Sequence, residues 1–257
     1  MIDRIREHNR ESWNENVQAG NQWTIPVSSK IIELARRGNW AIILTPQKPV
    51  PANWFPDIKG LKILCLASGG GQQGPILAAA GADVTVLDNS PLQLKQDQFV
   101  AERDGLHLGT VEGDMRDLSV FTDQSFDLIV QPVANCFIPN VTPLWQESFR
   151  VLRHGGSLLT GMVNPVLYIF DQDQLDQGIL NPAHPIPYSD LDSLSKEKLE
   201  MYKKQKISLE FGHSLEDLIG GQIEAGFIIK GFYEDFWEQD PISKFLPTFF
   251  ATKAVKP

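Results

Sequence analysis

Short apolar runs alternate with polar, helix-forming stretches from about residue 59 to the end of the chain. Runs of this kind are typical of parallel strands that are covered by helices on both faces. Strands are predicted at residues 61–67, 82–87, 107–112, 126–131 and 157–163, and two more at 227–237 and 245–255. The repeated strand–helix unit predicts an α/β fold with a doubly wound, mostly parallel sheet.

Helix-start and helix-stop residues mark the segments between the strands. Ser90 is suited to cap a helix, Pro91 to occupy its first turn, and Gly105 to end it. Similar signals predict the remaining helices of the sheet region at residues 75–80, 142–153, 195–206 and 214–226. Ligands of such sheets bind at the carboxyl ends of the strands, which is where the candidate chemistry is expected.

Two regions fall outside this alternation. Residues 1–56 are predicted to form a helical N-terminal extension, and residues 57–257 the main domain. Within the extension, a helix at 29–37 has a predicted apolar face made of Ile31, Ile32, Leu34 and Ala35. Residues 164–210 are polar and rich in proline, and they predict a cap insertion over the sheet.

Four tryptophans crowd the N-terminal extension: Trp13, Trp23, Trp40 and Trp54. They are compatible with a lid over a ligand site. They are also compatible with simple packing of the extension onto the core, and the sequence leaves both interpretations open.

Charge and cysteine content narrow the classes of partner and compartment. The net charge of −9 would repel a phosphate backbone, so nucleic acid is not an expected partner. The two cysteines, Cys65 and Cys136, form neither a disulfide framework nor a zinc-binding spacing, so we expect no metal and a reducing compartment.

The N-terminus lacks a secretory apolar region and no apolar run is long enough for a membrane span. A cytoplasmic protein that does not associate with membranes is expected.

Two features at strand ends point to a nucleotide-like cofactor. Three consecutive glycines, Gly69 to Gly71, follow a buried strand and allow a ligand to approach the backbone. Asp88 ends the second strand, where a carboxylate can accept hydrogen bonds from both hydroxyls of a ribose. Both features also fit the nicotinamide-dinucleotide pattern, since Gly69, Gly71 and Gly74 satisfy G-x-G-x-x-G.

A third feature discriminates between the cofactors. Asp114 and Met115 follow the third strand, where an acidic side chain can accept from the amino group of adenine. Such a carboxylate has no comparable role in most nicotinamide enzymes. An ordinary surface turn is the alternative interpretation of Asp114.

These motifs together resemble those of the class I S-adenosylmethionine-dependent methyltransferases, especially the small-molecule group. The resemblance rests on ILCLASGGG (63–71), VLDN (86–89), GDM (113–115), and the pair FDLIVQPV (126–133) and FRVLRHGGSLL (149–159). It implies a Rossmann-like fold in which the last two strands form an antiparallel edge hairpin. Two departures stand out, because Cys65 replaces a frequent acidic residue and Ala67 a frequent glycine.

The resemblance also implies the cofactor and the residues that bind it. S-adenosylmethionine would be held by Ala67, Ser68, Gly69, Gly71, Asp88, Asn89, Asp114, Met115, Gln131 and Pro132. The implied reaction is methyl transfer to a small-molecule acceptor by in-line displacement. An NAD-dependent oxidoreductase and a nonenzymatic cofactor-binding protein are the alternatives.

Methyl transfer mainly requires alignment of the reactants, and a base is needed only if the acceptor must lose a proton. The catalytic residue is therefore unknown from the sequence. His184 and Tyr188 of the insertion are weak candidates, and Tyr168 and His213 are further candidates. His213 adjoins the helix-capping Ser214, and Cys136 is expected to be a buried structural residue.

Overall fold

A computed structural model describes residues 2–257, with side chains from Arg4 onward. The seven strands of its main sheet are β1 (Lys62–Leu66), β2 (Asp83–Asp88), β3 (Leu108–Glu112), β4 (Phe126–Gln131), β5 (Leu152–Val163), β8 (Ile228–Asp235) and β9 (Phe249–Val255). Their order in the sheet is β3-β2-β1-β4-β5-β9-β8. Strands β1 to β5 pair in parallel, and β9 is antiparallel to both β5 and β8. The predicted fold class and edge hairpin are confirmed.

Nine α-helices are present in residues 2–257. They are α1 (Ile2–Ala19), α2 (Ser29–Arg36), α3 (Gln73–Ala79), α4 (Pro91–Asp104), α5 (Thr142–Val151), α6 (Gln172–Leu175), α7 (Asp190–Ser193), α8 (Lys196–Gln205) and α9 (Gly221–Glu224). Helix α4 begins as predicted, because the Ser90 hydroxyl accepts a 3.1 Å hydrogen bond from the N–H of Gln93. It ends at Gly105, whose φ is +61°. No helix in this part of the chain is long and apolar enough to cross a membrane.

The core lies on both faces of the sheet because side chains alternate along each buried strand. Ile63 and Cys65 of β1 pack into one apolar cluster. Leu64 and Leu66 pack into the other, which also holds the fully buried Trp145 of α5. The carboxyl ends of the parallel strands are therefore held in fixed positions by packing on two sides.

Three local predictions need correction. Strand β5 begins at Leu152 rather than 157, because Leu152 already pairs with Phe126 before an irregularity in the ladder. The helix after Ser214 contains a π-helical turn at Glu216–Gly220 ahead of α9. In α2, Ile32 and Ala35 are buried but Ile31 and Leu34 are exposed, so the buried face is narrower than predicted.

Residues 164–210, the insertion, contain one strand of a second, two-stranded sheet. Its strand β6 (Tyr188–Ser189) pairs antiparallel with β7 (Phe211–Gly212), just beyond its C-terminal end. The charged helix predicted at 195–206 is α8, which is capped by Ser195. Residues Leu209 and Phe211 pack against Ile5 of α1, so the N-terminal extension and the insertion meet.

Candidate functional site

A cavity of about 950 Å³ lies at the carboxyl ends of the parallel strands. Its floor includes the loop after β1, the ends of β2 and β4, and the turn after β3. Helix α1 and the insertion contribute to its wall, together with residues 43–46, the segment after β4, Trp237 and Phe249. Eight of the ten predicted cofactor residues line it: Ala67, Ser68, Gly69, Asp88, Asn89, Asp114, Met115 and Pro132.

The loop after β1 is bent sharply at the floor of this cavity. Ala67 has a φ of +46°, a left-handed conformation that glycine adopts more easily, and Gly70 and Gly71 also have positive φ. A Cβ on Gly71 would lie 2.8 Å from the carbonyl oxygen of Gln96. Gly71 is therefore needed for the approach of α4 to the loop, and it does not line the cavity.

The carboxylate of Asp88 connects this loop to the end of β2. One oxygen accepts a 2.9 Å hydrogen bond from the N–H of Gly69, and the other accepts one of 2.8 Å from the N–H of Ser90. Burial raises the pKa of Asp88 to about 6, although these backbone donors lower it. A carboxylate can accept about four hydrogen bonds, so Asp88 retains capacity to accept one from a hydroxyl in the cavity.

Asp114 has a partner that the sequence analysis did not foresee. The guanidinium of Arg116 makes a two-pronged ion pair with its carboxylate, with Nε 3.0 Å from Oδ1. Beside it, Met115 accepts a 3.5 Å hydrogen bond at sulfur from the side-chain amide of Gln131. Gln131 is fully buried and also accepts from the Thr160 hydroxyl, so it supports Met115 from behind and does not reach the cavity.

Helix α1 closes the cavity over the ends of β2 and β3. Arg6 and Asn89 exchange two hydrogen bonds, from Arg6 Nε to Asn89 Oδ1 at 3.0 Å and from Asn89 Nδ2 to the Arg6 carbonyl at 2.9 Å. Buried Asn9 donates to the carbonyls of Phe137 and Leu209 and accepts from the N–H of Leu209. Helix α1 is therefore hydrogen-bonded both to the loop after β2 and to the insertion.

The four N-terminal tryptophans divide into two pairs. Trp13 and Trp23 line the cavity, and the ring of Trp23 meets Trp237 edge to face at a centroid distance of 5.1 Å. Trp54 packs in the core beside Tyr233, and Trp40 packs against Phe55. The lid interpretation thus fits the first pair, and the packing interpretation fits the second.

The insertion contributes a carboxylate that sequence analysis missed. Glu210 lines the cavity and accepts a 2.8 Å hydrogen bond from the hydroxyl of Tyr168, which lines it too. Burial raises the pKa of Glu210 to about 7, with a further contribution from Asp190. Apolar and polar residues alternate from Ile207 to Phe211, as in an ordinary half-exposed strand, so no sequence signal distinguished Glu210.

The weak catalytic candidates lie elsewhere. His184 and Tyr188 line an adjoining, smaller cavity of about 150 Å³ within the insertion, which shares Tyr168 and Glu210 with the larger cavity. The Tyr188 hydroxyl donates to Asp190 at 2.7 Å. His213 is buried, with Nε2 3.1 Å from the carbonyl oxygen of Asn135. Cys65 and Cys136 are buried and free, and burial raises the pKa of both thiols.

Comparisons with known proteins agree with this arrangement. Residues 64–160 match the family model described as a methyltransferase domain. The chain is 56% identical over 249 residues to the uncharacterized methyltransferase YbaJ of Bacillus subtilis, covering 97% of each protein. It is also 35% identical over 101 residues to the sterol 24-C-methyltransferase erg6 of Aspergillus fumigatus, which is 38% of this chain and 26% of that one.

Solved structures share the fold. An S-adenosylmethionine dependent methyltransferase from Mesorhizobium loti has a TM-score of 0.57 at 19% identity, covering 79% of this chain and 94% of that one. A SAM-dependent methyltransferase from Methanosarcina mazei has a TM-score of 0.54 at 20% identity, covering 79% and 95%. The chain therefore belongs to the class I S-adenosylmethionine-dependent methyltransferases. This membership decides between the alternatives in favour of an enzyme whose cofactor is S-adenosylmethionine.

The residues at the β1–β3 end of the cavity fit this cofactor. Its ribose hydroxyls are donors, and Asp88 is a buried carboxylate with acceptor capacity to spare. Leu87, Met115 and Ile138 supply apolar surface for a planar base, with Asp114 at the polar edge. When bound, the cofactor supplies an activated methyl group, so the protein itself provides alignment and a water-poor site.

Proposed function

We propose that this methyltransferase acts on a small molecule that is enclosed with the cofactor in one cavity, by in-line displacement. The observation behind the proposal is the continuity of the cavity. It extends from Asp88 and Asp114 past Pro132 to Tyr168 and Glu210 of the insertion. Ligand sites for small molecules are concave and enclosed in this way.

The cofactor is proposed to occupy the end of the cavity near β1, β2 and β3. Asp88 would hold the ribose, Asp114 and Met115 would border the adenine, and Ala67 to Gly69 would line the methionine part. Asn89 and Pro132 would complete the contacts. Gly71 and Gln131 would not contact the cofactor directly. Gly71 leaves room for the close approach of α4, and Gln131 donates a hydrogen bond to Met115 from behind the cavity wall.

The other end of the cavity is proposed to hold the acceptor. Its wall includes residues from both parts of the insertion: Leu167, Tyr168, Gln172, Gln205, Lys206, Ile207, Ser208 and Glu210. Specificity is often carried by segments that a rigid scaffold supports. We therefore propose residues 164–210 as the acceptor-selecting cap, and residues 1–56 as an extension that closes the cofactor end.

The covered cavity and the negative charge argue against a polymer as acceptor. Helix α1 is fastened across one side of the site by Arg6 and Asn9, and it restricts the access that a nucleic acid would need. The net charge of −9 would oppose phosphate binding as well. The cytoplasmic location expected from the two free cysteines stays a prediction.

A fractionated metabolite extract tests the proposal. Incubation with S-adenosylmethionine should produce S-adenosylhomocysteine only with the fractions that contain the acceptor, and mass spectrometry should find a product heavier by one methylene unit. Asp88→Ala, which removes the proposed ribose contact, is the control and should give much less product at low cofactor concentration. Cofactor turnover that no fraction stimulates would count against a small-molecule acceptor.

A further inference from the structure

Glu210 is held rigidly at the insertion end of the cavity. Its N–H donates a 2.7 Å hydrogen bond to Asp190 Oδ2, and its carbonyl accepts one of 3.1 Å from the N–H of Asp190. Its carboxylate accepts from the Tyr168 hydroxyl at 2.8 Å. The ring of Tyr168 stacks on Tyr188 at a centroid distance of 5.4 Å, so the pair has a defined position.

Gly212 of β7 leaves room for the ring of Tyr168. A Cβ at Gly212 would lie 2.6 Å from the ring of Tyr168, so only glycine allows the ring to pack there. Tyr168 therefore packs against β7 and lines the cavity beside Glu210. Together they form a built polar site beside an apolar part of the lining, which consists of Leu167, Val163 and Phe249.

The charged side chains that line the cavity differ in whether they have an oppositely charged partner. Among the described residues, its cations are Arg6, Arg116 and Lys206. Arg116 pairs with Asp114, Arg6 lies 4.0 Å from the same carboxylate, and Lys206 pairs with Glu15 at 2.8 Å. The side-chain partner of Glu210 is the neutral Tyr168 hydroxyl. At the acceptor end, the lining thus has a negative charge without a matching positive one.

Aromatic rings surround the same space. Trp13, Phe137, Trp237 and Phe249 line the cavity together with Tyr168. Trp13 meets Phe137 edge to face at 5.3 Å, which fixes both rings. Faces of aromatic rings attract cations, most strongly where water is excluded. An anionic acceptor would find no unpaired cation here and would be repelled by Glu210.

On these grounds we propose that the methyl acceptor is an amine, and that Glu210, oriented by Tyr168, binds its ammonium group. This proposal rests on the proposed small-molecule function and names its substrate class. The ammonium group gives one proton to Glu210, which frees the lone pair of nitrogen. The nitrogen then forms its bond to the methyl carbon as the carbon–sulfur bond breaks, and that bond's electron pair stays on sulfur.

The pKa of Glu210 suits this proton transfer. Burial raises the pKa of Glu210 to about 7, so the carboxylate can take up and release a proton near neutral pH. An amine nitrogen must be neutral to attack, whereas an ammonium ion binds best to a carboxylate. One residue therefore serves both recognition and deprotonation.

Calorimetry on the protein saturated with S-adenosylhomocysteine tests this assignment. The probes are a panel of aryl and alkyl amines, each with its alcohol and carboxylate isosteres, for example phenethylamine, benzyl carbinol and hydrocinnamate. We expect at least one amine to bind about ten- to a hundredfold more tightly than its alcohol, since a charge-assisted hydrogen bond is gained. Glu210→Gln keeps the shape and the Tyr168 contact, and it should abolish this preference.

Two controls separate the explanations. Glu224→Gln changes the net charge equally at an exposed position and should retain the preference for amines. If Glu210 instead stabilised the sulfonium, Glu210→Gln would weaken S-adenosylmethionine relative to S-adenosylhomocysteine and leave amine binding unchanged. That result, or carboxylates that bind as well as amines, or no amine that exceeds its alcohol, would overturn the proposal. Methylation of another small molecule would still support the proposed function.

Discussion

The main-chain N–H of Gly69 donates a 2.9 Å hydrogen bond to the carboxylate of Asp88. This contact joins the glycine-rich loop to the end of β2, so the residue proposed to hold the ribose also fixes the loop beside it. A Cβ at Gly69 would lie 3.0 Å from the same carboxylate oxygen, which leaves little room for any other residue there. Loop shape and cofactor binding are therefore expected to change together.

Replacement of Asp88 should weaken cofactor binding. We expect Asp88→Asn to reduce the affinity for S-adenosylhomocysteine by about ten- to a hundredfold, since charge-assisted hydrogen bonds are lost. Calorimetry measures this, and Asp83→Asn at the exposed start of the same strand is the matched control. Equal affinities of both variants would mean that Asp88 only shapes the turn.

The contact between α1 and the cofactor loops should contribute to affinity as well. Arg6→Ala removes the side-chain hydrogen bond to Asn89 and the positive charge near Asp114. We expect the affinity for S-adenosylhomocysteine to fall by about two- to tenfold, the range for one ordinary hydrogen bond. Arg4→Ala, at an exposed position of the same helix, should leave it unchanged. An unaffected Arg6 variant would show that α1 covers the site without stabilising it.

Glu210 should make stability depend on pH in a particular direction. Burial raises its pKa from the ordinary 4.5 to about 7. Between these values the unfolded state loses the proton first, so each rise in pH favours unfolding. Glu210→Gln, which cannot ionise, should therefore gain stability relative to wild type as the pH rises through this window. Denaturant unfolding at several pH values measures the difference, and a constant or shrinking difference would contradict the prediction.

The two ends of the cavity should respond independently to substitution. Leu167→Ala enlarges the proposed acceptor end and should raise the acceptor KM while cofactor affinity stays within about twofold, since distant sites behave additively. Leu180→Ala lies in the same insertion but outside the cavity lining, and it is the control. A parallel loss of cofactor affinity in Leu167→Ala would argue against separate subsites.

Local signals were sufficient for much of the fold. The buried runs of β1 and β4 and the Ser90 cap of α4 each depend on neighbours in sequence, so they could be predicted. The early start of β5 could not, because it depends on the pairing of Leu152 with the distant Phe126.

The site was predictable where a motif faces the cavity, and less so elsewhere. Gly71 and Gln131 belong to recognisable motifs, yet Gly71 faces α4 and Gln131 faces Met115 and Thr160. Glu210 was missed because its position depends on the pairing of β7 with β6 and on its contact with Tyr168, more than forty residues away. Contacts between residues so far apart along the chain do not produce a periodic pattern in the sequence.

The destination of the methyl group tests the central claim most directly. Purified enzyme and methyl-labelled S-adenosylmethionine are added to a whole-cell lysate, which is then separated into small molecules, protein and nucleic acid. The proposed small-molecule site predicts that the label enters the small-molecule fraction, and that Asp88→Ala strongly reduces this transfer at low cofactor concentration. Enzyme-dependent label in protein or nucleic acid, with none in the small-molecule fraction, would contradict the account.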